Sequence, residues 1–316
     1  MTEPAFRRIL AIDGGGIKGV FPASFLATVE ESIGDRIGNY FDLIAGTSTG
    51  GIIALGLGLS AKDVLHFYEN SGPAIFGGSR LLKTIRWAGV SKYSDQPLRK
   101  ALESIFESRR LGESAKRLVI PSVNLENGEV YVYKTAHHPR FERDYRDKVV
   151  DVALATAAAP TYFPTHRSSA GTPLVDGGVW ANNPTGMATV EAIGVLGWAR
   201  ESLRVLSLGC TTEPLAIGRA RFAALGATYW ATRVTNLFMK TQSFASMGTA
   251  YVLLGHEPVL RVDPHVAPGR FGLDAHKESE SLKGLGVSEA RNALPDIRHL
   301  FISEGAANRF EPHWRL

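Results

Sequence analysis

The first place where residue types and spacing could do chemistry is Gly46-Thr47-Ser48-Thr49-Gly50. A serine hydroxyl is a weak nucleophile until a base and a fixed geometry activate it. Gly-x-Ser-x-Gly is the pattern of a nucleophile elbow, a sharp strand-to-helix turn. Such a turn holds the serine in a strained backbone conformation with its side chain pointing away from the sheet. The hydroxyl then stands at a helix N-terminus, where the dipole favours negative charge. Gly46 and Gly50 leave room for the helix and for a substrate. A second chemical group is Asp176, followed by Gly177-Gly178, a carboxylate placed to project over a site from a strand end. A third is Asp13-Gly14-Gly15-Gly16-Ile17-Lys18-Gly19. It reads in three ways. Gly14-x-Gly16-x-x-Gly19 matches the dinucleotide fingerprint, although Asp35 follows a helix rather than ending a second strand. A phosphate-binding turn of the actin or sugar-kinase type is the second reading. An anion-cradling nest of backbone N–H groups, of the kind an oxyanion hole needs, is the third. Lys18 adds a cation beside it.

These groups need elements to hold them. Residues 9–12 read as a buried strand that enters the first Gly-rich turn, and a helix follows with Val20, Phe21, Phe25, Leu26, Val29 and Ile33 on its apolar face. Pro22 suits its start and Gly34 its end. Residues 43–45 have strand length, and 52–57 suit a buried helix. Residues 61–76 have helical spacing, with Gly72-Pro73 and Gly77-Gly78 expected to break it. Residues 77–94, with Arg80, Lys83, Arg86, Trp87, Lys92 and Tyr93, read as a solvated connection or as a lid touching a membrane. Residues 96–108 predict a helix and 118–123 a strand, with a hairpin at Asn127-Gly128. His137-His138 lack a carboxylate or cysteine at metal spacing and read as surface residues.

An alanine-rich helix is expected over 149–159, stopped by Pro160. Leu174-Val175 ends a strand, Asn182-Asn183-Pro184 opens a helix, and 203–208 is a further core strand. Beyond Gly209 the pattern changes. Residues 220–244 predict one or two helices rich in aromatics and cations, 259–262 a last strand, and 288–304 a helix interrupted by Pro295. Strands alternating with helices predict an α/β fold with a mostly parallel sheet. The division expected is a core over residues 1–210 and a C-terminal elaboration over 211–316, packed as one continuous domain.

Composition narrows the class. The chain has 316 residues, 44% hydrophobic and 21% charged, enough for a large core. A net charge of +4 is too weak to argue for a nucleic acid polymer and is compatible with an anionic membrane surface or ligand. One cysteine, Cys210, allows no intramolecular disulfide, so nothing points to secretion. The apolar run at 9–12 is too short for a signal peptide, and the window 43–59 is too rich in Gly and Thr to read as a span. A cytoplasmic location is expected.

Four blocks in order then resemble the patatin-like phospholipases: Asp13-Gly14-Gly15-Gly16-x-Lys18-Gly19, Gly46-Thr47-Ser48-Thr49-Gly50, Ala155-Thr156-Ala157-Ala158-Ala159-Pro160 and Asp176-Gly177-Gly178. Lys18 stands where many members have Arg. The resemblance implies a three-layer α/β/α fold and a Ser–Asp dyad. Ser48 would be the nucleophile and Asp176 the group that takes its proton. Gly14, Gly15 and Gly16 would supply the oxyanion hole, with Lys18, Gly46, Gly50 and Gly177 in support. It implies hydrolysis of glycerophospholipid esters at the inner membrane surface without metal or organic cofactor. A carboxylate is a weak base for serine, and the order Ser48…Asp176…His256 or His265 also suits a Ser-Asp-His triad. The dyad ranks above it because both Asp-Gly-Gly turns are patatin-like. An ATP-using sugar-kinase-like reading leaves the serine turn unexplained. The run 41–59 with Phe67-Tyr68 and Ile75-Phe76-Gly77 is similar to bacterial patatin-like effectors of anti-phage signalling. That implies a cyclic dinucleotide activator, for which the basic aromatic stretch 219–240 is a candidate contact, and is compatible with a homodimer.

Overall fold

The computed structural model describes residues 6–77, 90–214 and 234–316. Apolar runs of strand length become the parallel heart of one sheet: β1 (Arg7–Ile12), β2 (Leu43–Gly46), β3 (Arg117–Asn124), β7 (Leu203–Leu208) and β8 (Val259–Val262). Three strands join at one side through antiparallel pairing: β4 (Val130–Lys134) and β6 (Pro173–Asp176) on β3, and β5 (His166–Arg167) on β6. The order across the sheet is β5-β6-β3-β2-β1-β7-β8, and β4 also pairs with β3. The central strands β1 and β2 are buried on both faces, as near-continuous apolar sequence requires.

The two-residue period of a strand decides which side chain meets which layer. Leu10, Ile12, Ile44, Leu206 and Leu208 enter a large core with α1 (Val20–Ile33), α2 (Thr49–Gly56), α3 (Ala61–Phe76), α4 (Gln96–Phe106), α5 (Val149–Thr156) and α9 (Ser279–Ile297). Ile9, Leu43, Ala45, Leu203 and Val205 face α7 (Thr185–Gly194) and α8 (Val234–Leu254) on the other side. One turn of helix, α6 (Gly178–Ala181), follows β6. The result is three layers, α/β/α, around a mostly parallel sheet, and β8 shows that the C-terminal third extends that same sheet. Among the described residues no helix is long and apolar enough to cross a membrane.

Helix ends follow local chemistry. Gly34 at φ 73° closes α1 by donating its N–H to the Glu30 carbonyl. Ser60 and Asp63 form a capping box at the start of α3. Two expected breaks are absent. Helix α3 runs through Gly72-Pro73, because its apolar face continues to Ile75 and Phe76 and Gly72 lies against the Ile17 side chain. Helix α9 begins nine residues before the expected 288 and passes Pro295, then ends in a wider turn at Arg298–Ile302. Its glycines disguise it in sequence. Gly286 is where α9 approaches α1 so closely that a Cβ would meet the Phe21 carbonyl oxygen at 2.6 Å.

His137 is also not a surface residue. It is buried, with Thr135 Oγ1 3.0 Å from Nδ1 and Glu191 3.0 Å from Nε2, while Lys134 Nζ meets the same Glu191 carboxylate at 2.6 Å. The partner lies 54 residues away in sequence, out of reach of local spacing.

A tight approach between elements lies at Gly50, where α2 crosses the end of β1. A Cβ there would stand 2.2 Å from the Ile12 carbonyl oxygen and 2.7 Å from that of Asp13. Backbone cannot move aside as a side chain can, so Gly50→Ala is expected to destabilise the fold by about 3 kcal/mol, the upper end for overpacking. A melting temperature equal to wild type would contradict this close approach.

Candidate active site

Ser48 stands where the elbow pattern places it, between β2 and α2. Its backbone is at φ 55°, ψ −119°, a conformation that a side chain rarely adopts. Four tethers hold it there. The Ser48 N–H donates to Thr156 Oγ1 at 3.0 Å, and Thr156 in turn donates to the Pro121 carbonyl at 2.7 Å. On one flank, the Thr47 N–H reaches the Ile12 carbonyl at 3.1 Å and its hydroxyl the Ala181 carbonyl at 2.6 Å. On the other, Thr49 Oγ1 lies 2.5 Å from the buried Tyr68 hydroxyl. Strain at one residue persists because its neighbours are over-determined.

Asp176 is the last residue of β6 and is 5% exposed. The Ser48 hydroxyl is near enough to draw its carboxylate down, and the Gly178 N–H donates to it at 2.6 Å. Burial outweighs both effects and pushes the carboxyl up to about 6. Because the folded value exceeds the unfolded one, the ionised carboxylate opposes folding, and that cost develops as pH rises from 3.8 to about 6. Gly177 fits because a Cβ there would meet the Pro121 carbonyl oxygen at 2.2 Å, and Gly46 because one would meet the Gly50 carbonyl oxygen at 2.1 Å.

The Gly-rich turn arrives from the end of β1. Gly14 is pressed against the elbow: a Cβ on it would lie 3.3 Å from Ser48 Cβ. Its N–H, however, donates to the Asn182 carbonyl at 2.9 Å, so Gly14 is not an available donor. The N–H groups of Gly15 and Gly16 have no acceptor among the described residues. Gly16 is at φ 57°, and a Cβ on Gly15 would collide with Cys210 at 2.5 Å. The thiol of Cys210 donates to the Asp13 carbonyl at 3.4 Å, and burial pushes it far up, which keeps it unreactive. Lys18 is half-buried and reaches the Thr211 carbonyl at 3.4 Å.

The structure therefore brings Ser48, Asp176 and the Gly14–Gly16 turn together. It does not bring in the histidines. His256 precedes β8, at the end of the sheet opposite to Ser48, and stacks on Tyr251 at 4.1 Å. His265 is exposed beyond β8. Neither is among the groups that act on Asp176. Thr156 and Asn182 were not legible as site residues. Thr156 is the polar member of an alanine run, which was its only signal. Asn182 joins two turns, with Nδ2 3.3 Å from the Gly14 carbonyl and Oδ1 facing Gly178.

Of the expected lid, residues 78–89 lie outside the described residues. Lys92 and Tyr93 meet Asp274 at 2.5 and 2.6 Å, and their backbone N–H groups donate to the Thr161 and Tyr162 carbonyls. Of the basic aromatic stretch, Arg219, Arg221, Phe222, Tyr229, Trp230 and Arg233 also lie outside. Phe238 is exposed on α8, and Lys240 donates to the Glu213 carbonyl.

The family described as patatin-like phospholipase matches residues 10–189. A protein of Pseudomonas aeruginosa named cGAMP-activated phospholipase is 33% identical over 94% of this chain and 88% of its own. A protein of the same name from Vibrio cholerae is 40% identical over 56% of this chain and 55% of its own. Patatin-like protein 1 of Arabidopsis thaliana is 34% identical over 56% of this chain and 49% of its own.

Thr156→Val removes the acceptor of the Ser48 N–H while keeping the shape. The reaction of Ser48 with a fluorophosphonate probe is expected to slow about 10- to 100-fold, the effect of one unsatisfied buried donor on a barrier. Thr156→Ser should react near the wild-type rate. Equal rates for Val and wild type would remove Thr156 from the site.

Proposed function

We propose, from the premise that this chain belongs to the patatin-like phospholipase family, that its Ser48 and Asp176 act as a catalytic dyad. Membership makes the chain a lipid acyl hydrolase and sets aside the sugar-kinase-like reading. The observation that carries the dyad is the strained Ser48 at the elbow, with the buried Asp176 carboxylate under the influence of its hydroxyl and two backbone donors, Gly15 and Gly16, without an acceptor among the described residues.

The Asp176 carboxylate takes the hydroxyl proton as Ser48 Oγ attacks the ester carbonyl carbon of a glycerophospholipid. The N–H groups of Gly15 and Gly16 receive the tetrahedral oxyanion. Asp176 returns its proton to the departing alkoxide, which leaves as a lysophospholipid. Water activated by the same carboxylate then releases the fatty acid from Ser48. The weakness of a carboxylate as a base is partly offset here, since burial raises Asp176 toward 6 and closer to the working pH.

Ser48→Ala and Asp176→Ala are each expected to lower fatty-acid release from phospholipid vesicles by about 1,000-fold or more, in the range of catalytic-group deletions. His256→Ala and His265→Ala should leave it within about twofold, on the dyad reading. Loss of activity in a folded histidine variant would restore the triad. Activity should also fall as pH drops through about 6, because protonated Asp176 cannot accept the hydroxyl proton. A flat profile between pH 5 and 8 would exclude Asp176 as the base.

Activation by a cyclic dinucleotide is the regulatory part of the proposal. It is supported by the printed name of relatives that include one matched over 94% of this chain. The reaction proposed in the cell is degradation of membrane phospholipid at the inner membrane surface. Vesicle hydrolysis is expected to require cGAMP. Equal release with and without cGAMP would leave an unregulated lipid acyl hydrolase.

A further inference from the structure

The three glycines of the turn have no side chains to lock them, yet the Gly15 and Gly16 N–H groups, without an acceptor among the described residues, must be aimed. Glycine loses more conformational freedom on ordering than any other residue, so the turn needs outside anchors. Its backbone is held before the glycines at Asp13 and Gly14 by the Leu208 carbonyl, the Cys210 thiol and Asn182, and after them at Ile17, whose N–H donates to the Leu273 carbonyl at 2.9 Å and whose side chain is buried in the core. The charged anchor is Asp13, 4% exposed, immediately before the glycines.

The Asp13 carboxylate is held by Arg261, which comes from β8, 248 residues later in the chain. Arg261 Nη1 donates to Oδ1 at 2.9 Å and Nη2 to Oδ2 at 2.6 Å, a parallel two-pronged bond. The guanidinium is itself fixed. Nη1 also donates to the buried Ser207 hydroxyl at 2.8 Å, and Nη2 to Asp263 at 2.8 Å. Thr212 donates to that same Asp263 oxygen at 2.6 Å, and Ser207 Oγ lies 2.6 Å from Thr185 Oγ1. The clamp thus ties Asp13 to β7, β8 and α7.

We propose that Arg261 is a positioning residue for the oxyanion hole. Its planar fork sets the orientation of the Asp13 carboxylate and, through it, the direction of the Gly15 and Gly16 N–H groups two and three residues on. The inference rests on the acyl-transfer reading of Ser48. It gives the C-terminal third of the chain a part in the chemistry, although that third has no recognisable catalytic motif. A buried ion pair can also serve only to neutralise a charge, and the two roles make different demands. Neutralisation needs a cation or the removal of both charges. Positioning needs the fork, which lysine cannot supply.

The test uses Arg261→Lys, Arg261→Met and the neutral double variant Asp13→Asn/Arg261→Met. Active sites are counted by fluorophosphonate labelling, and kcat and KM are measured on a soluble short-chain ester alongside melting temperature. Arg261→Lys is expected to lose about 10- to 100-fold in kcat per labelled site, somewhat less than removal of one oxyanion donor, with KM within about threefold. Arg261→Met should melt lower, because a buried carboxylate is left unpaired. The double variant should recover much of that melting temperature while kcat stays down. If Arg261→Lys or a stable double variant turns over within threefold of wild type, the pair only balances charge and the proposal falls. Ser48→Ala separates the two levels: wild-type turnover by it would remove the acyl-transfer reading and this inference with it. Full turnover by Arg261→Lys would remove only the inference.

Discussion

The site depends on a single backbone constraint, the positive-φ conformation of Ser48 at the junction of β2 and α2. A side chain is held there at a cost of order 1–3 kcal/mol, and only a surround that leaves no alternative can maintain it. That surround is made from four separated segments. Ile12 accepts the N–H of the preceding residue, Thr156 accepts that of Ser48, Ala181 accepts the Thr47 hydroxyl, and Tyr68 holds Thr49. Each tether belongs to a different element, so the elbow is only as rigid as the three-layer packing around it.

The same convergence explains the density of glycine at the site. At Gly14, Gly46, Gly50 and Gly177 a Cβ would meet neighbouring atoms at 2.1–2.5 Å, three of them backbone carbonyl oxygens. The turns are packed this closely because their glycines leave no Cβ in the way. This brings the Gly14 backbone beside Ser48 and the Asp176 carboxylate within reach of its hydroxyl. It also excludes water from Asp176. Burial raises the acid to about 6, where an unperturbed aspartate would be a far weaker base. The proposed chemistry and the tight packing therefore have one origin.

Two of the buried aspartates, Asp13 and Asp176, are both raised to about 6 by burial, yet their surroundings differ in kind. Asp13 has a full cationic partner in Arg261, which opposes the shift. Asp176 has only a hydroxyl and one N–H. A carboxylate neutralised by a guanidinium is suited to hold a structure in place. One left with a serine hydroxyl as its main side-chain partner is suited to exchange a proton.

Much of this was legible in the residues alone. Apolar runs bounded by glycine marked β1, β2 and β7, because a strand buried on both faces can be little else. Ser48, Asp176 and the Gly-rich turn stood out because sharp turns at strand ends demand glycine locally. Helices α3 and α9 were misjudged at Pro73, Pro295 and Gly286, where burial against neighbouring layers outweighed local propensity. Tertiary structure alone decided which donors remain unpaired, since the Gly14 N–H is taken by an Asn182 that no local pattern connects to it. It alone buried His137 on Glu191, hung Ser48 from Thr156, and joined Asp13 to Arg261 across 248 residues. Local backbone geometry is written in neighbouring residues. Hydrogen-bond partners and charge pairs between strands are written only in how the sheet is ordered.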